Sequence, residues 1–225
     1  MHLRYGLKTV IIISLACFCI FSQKTKAQNV DSAASFANAS SSIVRAFPLK
    51  PDEQAWVNQA QNWINALTTL RARFQQIAFD NRSSTGTVWI KRPGRIRFEY
   101  NKPSQIVLVA NHGKMVFHDG EVDQTTTIPL DQNPLGLLLN PQLSFTGSVT
   151  ITNFSTNDRG LFQITLVRTL SPSEGNLTLI FNQTPLFLKA WQVVDAQGHK
   201  TQVDLYDLNP DISIKENIFK LDFND

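Results

Sequence analysis

Thr85-Gly-Thr-Val-Trp-Ile-Lys-Arg-Pro-Gly-Arg-Ile-Arg-Phe-Glu-Tyr-Asn-Lys-Pro103 is the stretch whose reading decides the fold. Val88 and Ile90 alternate with Trp89 and Lys91, and Ile96, Phe98 and Tyr100 alternate with Arg95, Arg97 and Glu99. A period of two marks strands with one apolar face and one wet face. Pro93-Gly94 supplies the reversal, since Pro presets φ and Gly accepts angles other residues avoid. With the loop at Pro93-Gly94-Arg95, Val88, Ile90 and Arg92 share a face with Ile96, Phe98 and Tyr100. Lys91, Arg97 and Glu99 then face water, and only Trp89 is misplaced. This register puts an arginine at the rim of an apolar, aromatic surface.

Working outward, the same cadence continues. Gln105 to Ala110 is a β-branched run, Asn111-His-Gly113 turns, and Met115-Val-Phe117 returns. His118-Asp-Gly120 turns again before a Thr-rich strand from Glu121 to Ile128. Short apolar runs ending in Gly or Asn are the pattern of an antiparallel meander. Strands resume over 148–155, 161–168, 177–181 and 188–193, with Leu188 and Ala190 facing opposite to Trp191 and Val193. Thr201, Val203 and Leu205 follow the Asp195-Ala-Gln-Gly198 turn, and Ile212, Ile214 and Phe219-x-Leu221-x-Phe223 finish the sheet. About ten or eleven strands result, and a sheet of that size curls or packs on itself.

Helices are few. Pro51-Asp52-Glu53 has the proline and acids of a helix start, and Trp56, Ala60, Trp63, Leu67 and Leu70 form one apolar stripe. The stripe runs on to Phe74 and Ile77, yet Leu70-x-Ala72-x-Phe74-x-Gln76 also alternates, so periodicity leaves helix and strand both open there. Asn133 is a fitting N-cap and Pro134 a fitting first residue for a short helix rich in leucine: Leu135, Leu137, Leu138 and Leu139. Pro141 ends it. So short a helix is marginal alone and must lie on something apolar. A curled sheet with this helix over its concave side makes an apolar pocket, the default ligand site.

Residues 1–27 read as a secretory signal peptide. Arg4 and Lys8 precede an apolar run from Thr9 to Phe21, too short to span a bilayer comfortably, and Thr25-x-Ala27 is a small-x-small cleavage site. An uncleaved anchor is the competing reading. Both cysteines, Cys17 and Cys19, fall inside this segment, so the mature chain has no disulfide, thiol chemistry or cysteine metal site. Lipidation at Cys17 is an alternative that Ser14, where Leu is wanted, fits poorly. Four of the 21 basic residues (Arg4, Lys8, Lys24, Lys26) leave with the signal, so 17 remain against 18 acidic ones, a net charge of −1. That balance carries no basic stripe for nucleic acid. Gln28 to Lys50, rich in Ser, Ala and Asn, reads as a flexible N-terminal arm, followed by one domain over 51–225.

No nucleophile elbow, zinc-protease helix or phosphate-binding loop occurs. The mature chain's histidines, His112, His118 and His199, sit in or beside Gly-containing turns, where solvated histidine is ordinary. The expectation is a binding protein, not an enzyme, with no cofactor and no metal. Arg92 reads either as a solvated hairpin arginine or as a rim residue whose donor fork holds the carbonyls of a helix end and so keeps a lid shut. Val88, Ile90, Ile96, Phe98, Tyr100 and Phe117 read either as ordinary core or as the lining of the cavity.

Gly86-x-x-Trp89-x-Lys91-Arg92-Pro93, with Tyr100-x-x-Pro103, resembles the first hairpin of the LolA family of periplasmic lipoprotein carriers. Phe74-Gln75, the N-terminal helix, the hairpin at Gly113 to His118, the Asn133-Pro134 segment with its leucines and the closing Phe219-x-Leu221-x-Phe223 extend the likeness from about Trp56 to Phe223. The resemblance favours a strand over 70–76. It implies a mainly β (α+β) fold, a curved antiparallel sheet forming an incomplete barrel with a short α-helical lid over an apolar cavity. It implies a monomeric carrier that holds lipoprotein acyl chains in that cavity. Such a carrier takes them from an inner-membrane lipoprotein-releasing ABC transporter and delivers them to the outer-membrane acceptor LolB. Arg92 matches the family's lid-holding arginine, Phe98 its large cavity aromatic, and Pro134, Leu135, Leu138 and Leu139 its lid. The arm over 28–50 and His118, where Tyr is more usual, depart from the pattern, and the chain ends soon after Phe223. A membrane-anchored acceptor or a lipid-sensing domain of the same fold is the alternative.

Overall fold

The computed structural model describes residues 44–220. The signal peptide with Cys17, residues 28–43 of the arm, and Leu221 and Phe223 lie outside the described residues.

One α-helix, α1 (Pro51–Ala66), opens the domain. Pro51 needs no N–H at the first helical position, and Asp52 and Glu53 favour the positive end of the helix dipole. The Lys50 N–H donates to Glu53 Oε2 at 2.9 Å. The stripe is broader than Trp56, Ala60 and Trp63 suggest. Val57, Ala60 and Ile64 are its buried centre, and the two tryptophans flank it, half-buried. The helix stops at Ala66, before β-branched Thr68 and Thr69, and the ambiguous run is a strand, β1 (Thr69–Ile77).

Ten more strands follow: β2 (Ser83–Lys91), β3 (Arg95–Tyr100), β4 (Ile106–Asn111), β5 (Lys114–Asp119), β6 (Gln124–Pro129), β7 (Val149–Asn157), β8 (Leu161–Arg168), β9 (Gly175–Asn182), β10 (Phe187–Asp195) and β11 (Lys200–Pro210). They form one antiparallel sheet in the order β6-β5-β4-β3-β2-β1-β11-β10-β9-β8-β7. The two edges, β6 and β7, do not pair, so the barrel is incomplete. They are consecutive in sequence, however. Residues 130–148 must therefore carry the chain from one edge of the curled sheet to the other, which puts them across its opening.

The hairpin register follows the alternation. Val88 faces Phe98, Ile90 faces Ile96, and Lys91 faces Arg95. The inward positions of β1 (Leu70, Ala72, Phe74), β2 and β3 are all buried, and with α1, the lid segment and the inner faces of β7–β11 they form one continuous core. Trp89 is not misplaced. The convex face there is covered by residues 211–220, where Val109, Ile214 and Phe219 are buried and Trp89, Val107, Ile212 and Ile218 pack around them. The terminal segment expected to extend the sheet lies over its back instead. Asp211 adopts φ 57° just after Pro210, which ends the pairing. Lys91 and Arg95 both bind Glu216, and their hydrogen bonds hold its carboxyl below the usual carboxylate range.

Two further departures have local causes. A bulge between Leu188 and Ala190 shifts the phase of β10, so Leu188 and Trp191, opposite Phe181 and Leu179, share the inner face. The lid over Pro134–Leu139 is a 3-10 helix and not α-helical. It is six residues long, with Gly136 and Asn140 N–H groups donating three residues back, and 3-10 geometry is the usual form for so short a piece. The end of the arm is seated: Phe47 N–H donates to Ile151 O on edge strand β7 at 2.8 Å, and Phe47 and Leu49 pack on the core.

Gly86 is required by close approach. A Cβ there would strike Glu99 O and come within 2.6 Å of Phe74 Cε1. Because one obstacle is strand backbone, Gly86→Ala is expected to cost about 3 kcal/mol. Thermal unfolding checks this, as a fall in Tm of roughly 6–12 °C. A shift of a degree or less would mean that β2 and β3 part more easily than the register implies.

Candidate functional site

The site is the hollow between the inner face of the sheet and the segment crossing it. All of Pro134–Leu139 is buried, and its four leucines belong to the same apolar core as the inner face of the sheet and α1. Asn133 is its hub: the side-chain oxygen accepts from Leu135 N–H at 2.9 Å, and the carbonyl accepts from Gly136 N–H at 2.9 Å. Beyond Asn140 the chain is sewn to α1 by two polar residues one turn apart. Asn65 exchanges hydrogen bonds with both the N–H and the carbonyl of Leu143, each at 2.8 Å, and Gln61 Oε1 accepts from Phe145 N–H at 2.9 Å.

Arg92 stands where three elements meet. It is 9 % exposed, against the expectation of a solvated hairpin residue. Its Nη1 donates to Ile64 O in the last turn of α1, and its Nη2 donates to Asn140 O at 2.7 Å and reaches Asn65 Oδ1 at 3.4 Å. Gly94 in the same loop, at φ 74°, donates its N–H to Leu139 O at 2.8 Å. The β2–β3 loop thus grips the end of the lid by side chain and backbone together. Burial lowers the guanidinium pKa from its ordinary value, and Nε has no partner among the described residues. A buried charge held by two or three acceptors is only modestly stabilising overall, since desolvation offsets much of the gain.

A cavity of about 80 Å³ remains, lined by Phe98, Tyr100, Phe117, Leu135, Trp191 and Val203 among others. Ligand pockets usually hold about 300–1,000 Å³, so the closed form has room for a few waters and no acyl chain. Phe98, Tyr100 and Phe117, expected in the cavity, line it. Val88, Ile90 and Ile96 are wholly buried nearby and form the packed core. Of the lid residues only Leu135 reaches the cavity, and Pro134, Leu138 and Leu139 pack elsewhere under the segment. One polar pair is set in the wall: Tyr100 O–H donates to Gln76 Oε1 at 2.8 Å, and burial raises the phenol pKa above its ordinary value.

The mouth is polar and aromatic. Asp195 accepts from His199 N–H at 2.9 Å and lies 3.3 Å from His199 Nδ1, while Phe79 packs on the His199 ring with centroids 4.5 Å apart. His118 contacts Thr125 Oγ1 at 3.0 Å on the far edge, so the histidines are not gathered. Among the described residues no group of three His, Cys, Asp or Glu could hold a metal. No described helix is long and apolar enough to cross a membrane.

Sequence reasoning missed Asn65, Gln61, Gln76, Trp191 and Arg168. Gln76 continues the inward phase of Phe74, and Arg168 that of Phe162, Ile164 and Leu166. A polar residue in phase with a buried apolar face was the available signal, the same one that singled out Arg92.

A family model described as outer membrane lipoprotein carrier protein LolA matches residues 65–222. The chain belongs to the LolA family. An outer-membrane lipoprotein carrier protein of Methylococcus capsulatus is 25% identical over 171 residues, 72% of this chain and 81% of that one. The protein of the same description from Coxiella burnetii is 32% identical over 115 residues, 47% of this chain and 54% of that one, so the match spans about half of its length. A solved LolA superfamily protein from Nitrosomonas europaea covers 74% of this chain and 98% of its own at 10% identity and a TM-score of 0.40, too loose to add to the argument. Membership of the LolA family supports a lipoprotein carrier role.

Proposed function

We propose that this protein is a periplasmic carrier that takes lipoprotein acyl chains into the hollow between sheet and lid. It receives them from an inner-membrane lipoprotein-releasing ABC transporter and hands them to an outer-membrane acceptor, LolB or its equivalent. It works as a monomer by binding, without catalysis, cofactor or metal. The observation that carries this reading is a continuous apolar inner face, closed by a segment whose ends are fixed by a few hydrogen bonds, with almost no free volume beneath it.

The energetics fit a hand-over. Burying acyl chain gains about 0.8 kcal/mol per CH₂, so an open preformed hollow would hold a chain of about 16 carbons by about 12 kcal/mol. Cargo bound that tightly is not given up. A lid that must first be lifted subtracts its own closing energy from the affinity. Arg92 acts here as the lid-holding residue, and Val88, Ile90, Ile96, Phe98, Tyr100 and Phe117 become the chain-contacting wall once the lid lifts.

The test is release. Mature protein, residues 28–225, added to spheroplasts making a labelled outer-membrane lipoprotein is expected to bring label into the supernatant as a one-to-one soluble complex. Folded protein that leaves all label on the spheroplasts would overturn the carrier reading.

A further inference from the structure

The lid has a second tether. Arg168, the last residue of β8, sends Nη2 to the Asn133 carbonyl at 3.2 Å. That carbonyl is also the one accepting from Gly136 N–H, so the contact falls on the first turn of the lid, at the opposite end from Arg92. The guanidinium lies over Gly136, where an added Cβ would come within 3.3 Å of Nη2. Arg168 is itself held by Glu174, with Nε and Oε2 3.1 Å apart and side chains 20% and 30% exposed. Neither of those two atoms is open to solvent, and they meet as an ionic contact without hydrogen-bond geometry. Glu174 is placed by a short 3-10 turn, Pro172–Glu174, ahead of Gly175 at φ 110°. There a Cβ would collide with Val194 O, so the turn that presents Glu174 is itself fixed against β10.

The two arginines sit at different ends of the barrel. Arg92 follows β2, level with Thr69 at the start of β1. Arg168 closes β8 beside Val149, and the residue it holds, Asn133, lines the cavity with Leu135, Asp195 and His199. We propose that Arg168, positioned by Glu174, is a second latch that holds the lid's first turn over the cavity mouth and sets how readily cargo enters. Arg92 holds the last residues of the lid and Arg168 its first turn. A hydrogen bond from a charged donor is strong enough for its loss to change an opening equilibrium by roughly 10- to 100-fold.

This rests on the carrier reading for its purpose but not for its test. Hydrogen exchange is measured on wild type, Arg168→Gln, Glu174→Gln and Arg168→Lys without cargo. Arg168→Gln is expected to speed exchange of the Leu135 and Gly136 amides about tenfold or more, Glu174→Gln less, and Arg168→Lys to restore part of the protection. Amides inside β8 and β9 should be unchanged, which a merely structural role at the β8–β9 connection would not allow. Unaltered exchange at Leu135 and Gly136, or a rise spread equally over β8 and β9, would overturn the latch. Binding of a fluorescent 16-carbon fatty acid is followed in parallel, and Arg168→Gln is expected to load it about tenfold faster. If wild type binds no probe while the lid amides respond as expected, the latch stands and the carrier reading falls.

Discussion

Phe74→Ala is expected to lower the stability of the domain by about 4 kcal/mol, measured as a Tm roughly 8–16 °C below wild type. Phe74 is 2 % exposed and meets Phe98 and Tyr100 edge to face, both with ring centroids 5.1 Å apart. Its ring also covers Gly86, which has no side chain to move into a void. The cost of truncating a buried aromatic depends on whether its neighbours can collapse. Here they are pinned: Tyr100 by its hydrogen bond to Gln76, and Phe98 by its edge contact with Trp191 at 6.1 Å. The loss should therefore fall in the upper half of the usual range of about 3–5 kcal/mol. Chemical denaturation of both proteins gives the difference directly, and a loss below about 1 kcal/mol would mean that the inner wall relaxes freely. Because Phe98 and Tyr100 also line the cavity, the variant should bind a small apolar probe more readily than wild type.

Much of this wall was readable from alternation alone, because one buried face imposes a period of two over each strand. The shared face of Val88, Ile90, Ile96, Phe98 and Tyr100 is as the period requires. Trp89 seemed misplaced because its cover, Ile214 and Phe219, lies some 125 residues away, and no local pattern carries a contact of that range. The phase of β10 failed at its bulge, since one extra residue moves Trp191 to the face of Leu188. Asn133 and Pro134 marked the start of a short helix, yet not its 3-10 geometry, which six residues between a proline and Asn140 settle by length. For Arg92 the phase placed the side chain at the rim, while its acceptors, Ile64 and Asn140, come from α1 and the lid's end. Whether a rim arginine is solvated or clasped is decided by those distant carbonyls. The same phase would have flagged Arg168, at the end of β8.

Arg92→Leu is expected to bind an acyl probe about tenfold or more tightly and to deliver cargo to an acceptor slower by a similar factor, with little change in Tm. Three effects compete. Leucine removes a buried charge whose desolvation disfavours the folded state, and replacing such a group by an apolar one is often neutral or stabilising. It also leaves acceptors without a donor. Ile64 O keeps a bond from Leu67 N–H at 3.2 Å, but Asn140 O loses the 2.7 Å contact with Arg92. A buried carbonyl left unpaired costs about 1–3 kcal/mol; Asn140 is only part-buried, and the lid can avoid its share of that cost by lifting Asn140 into water. The penalty thus falls on the closed form and not on the barrel, moving the open–closed equilibrium by roughly 10- to 100-fold while global unfolding hardly notices. Gly94 N–H still holds Leu139 O at 2.8 Å, so the lid loosens without detaching. Affinity is a difference between end states, so whatever closing energy is removed favours loading and opposes release equally. The measurement is paired, with probe affinity and transfer rate determined on the same preparation. Tighter binding with undiminished transfer would break that link and remove the lid from the account of release, while unchanged binding would show that Arg92 does not hold the lid at all.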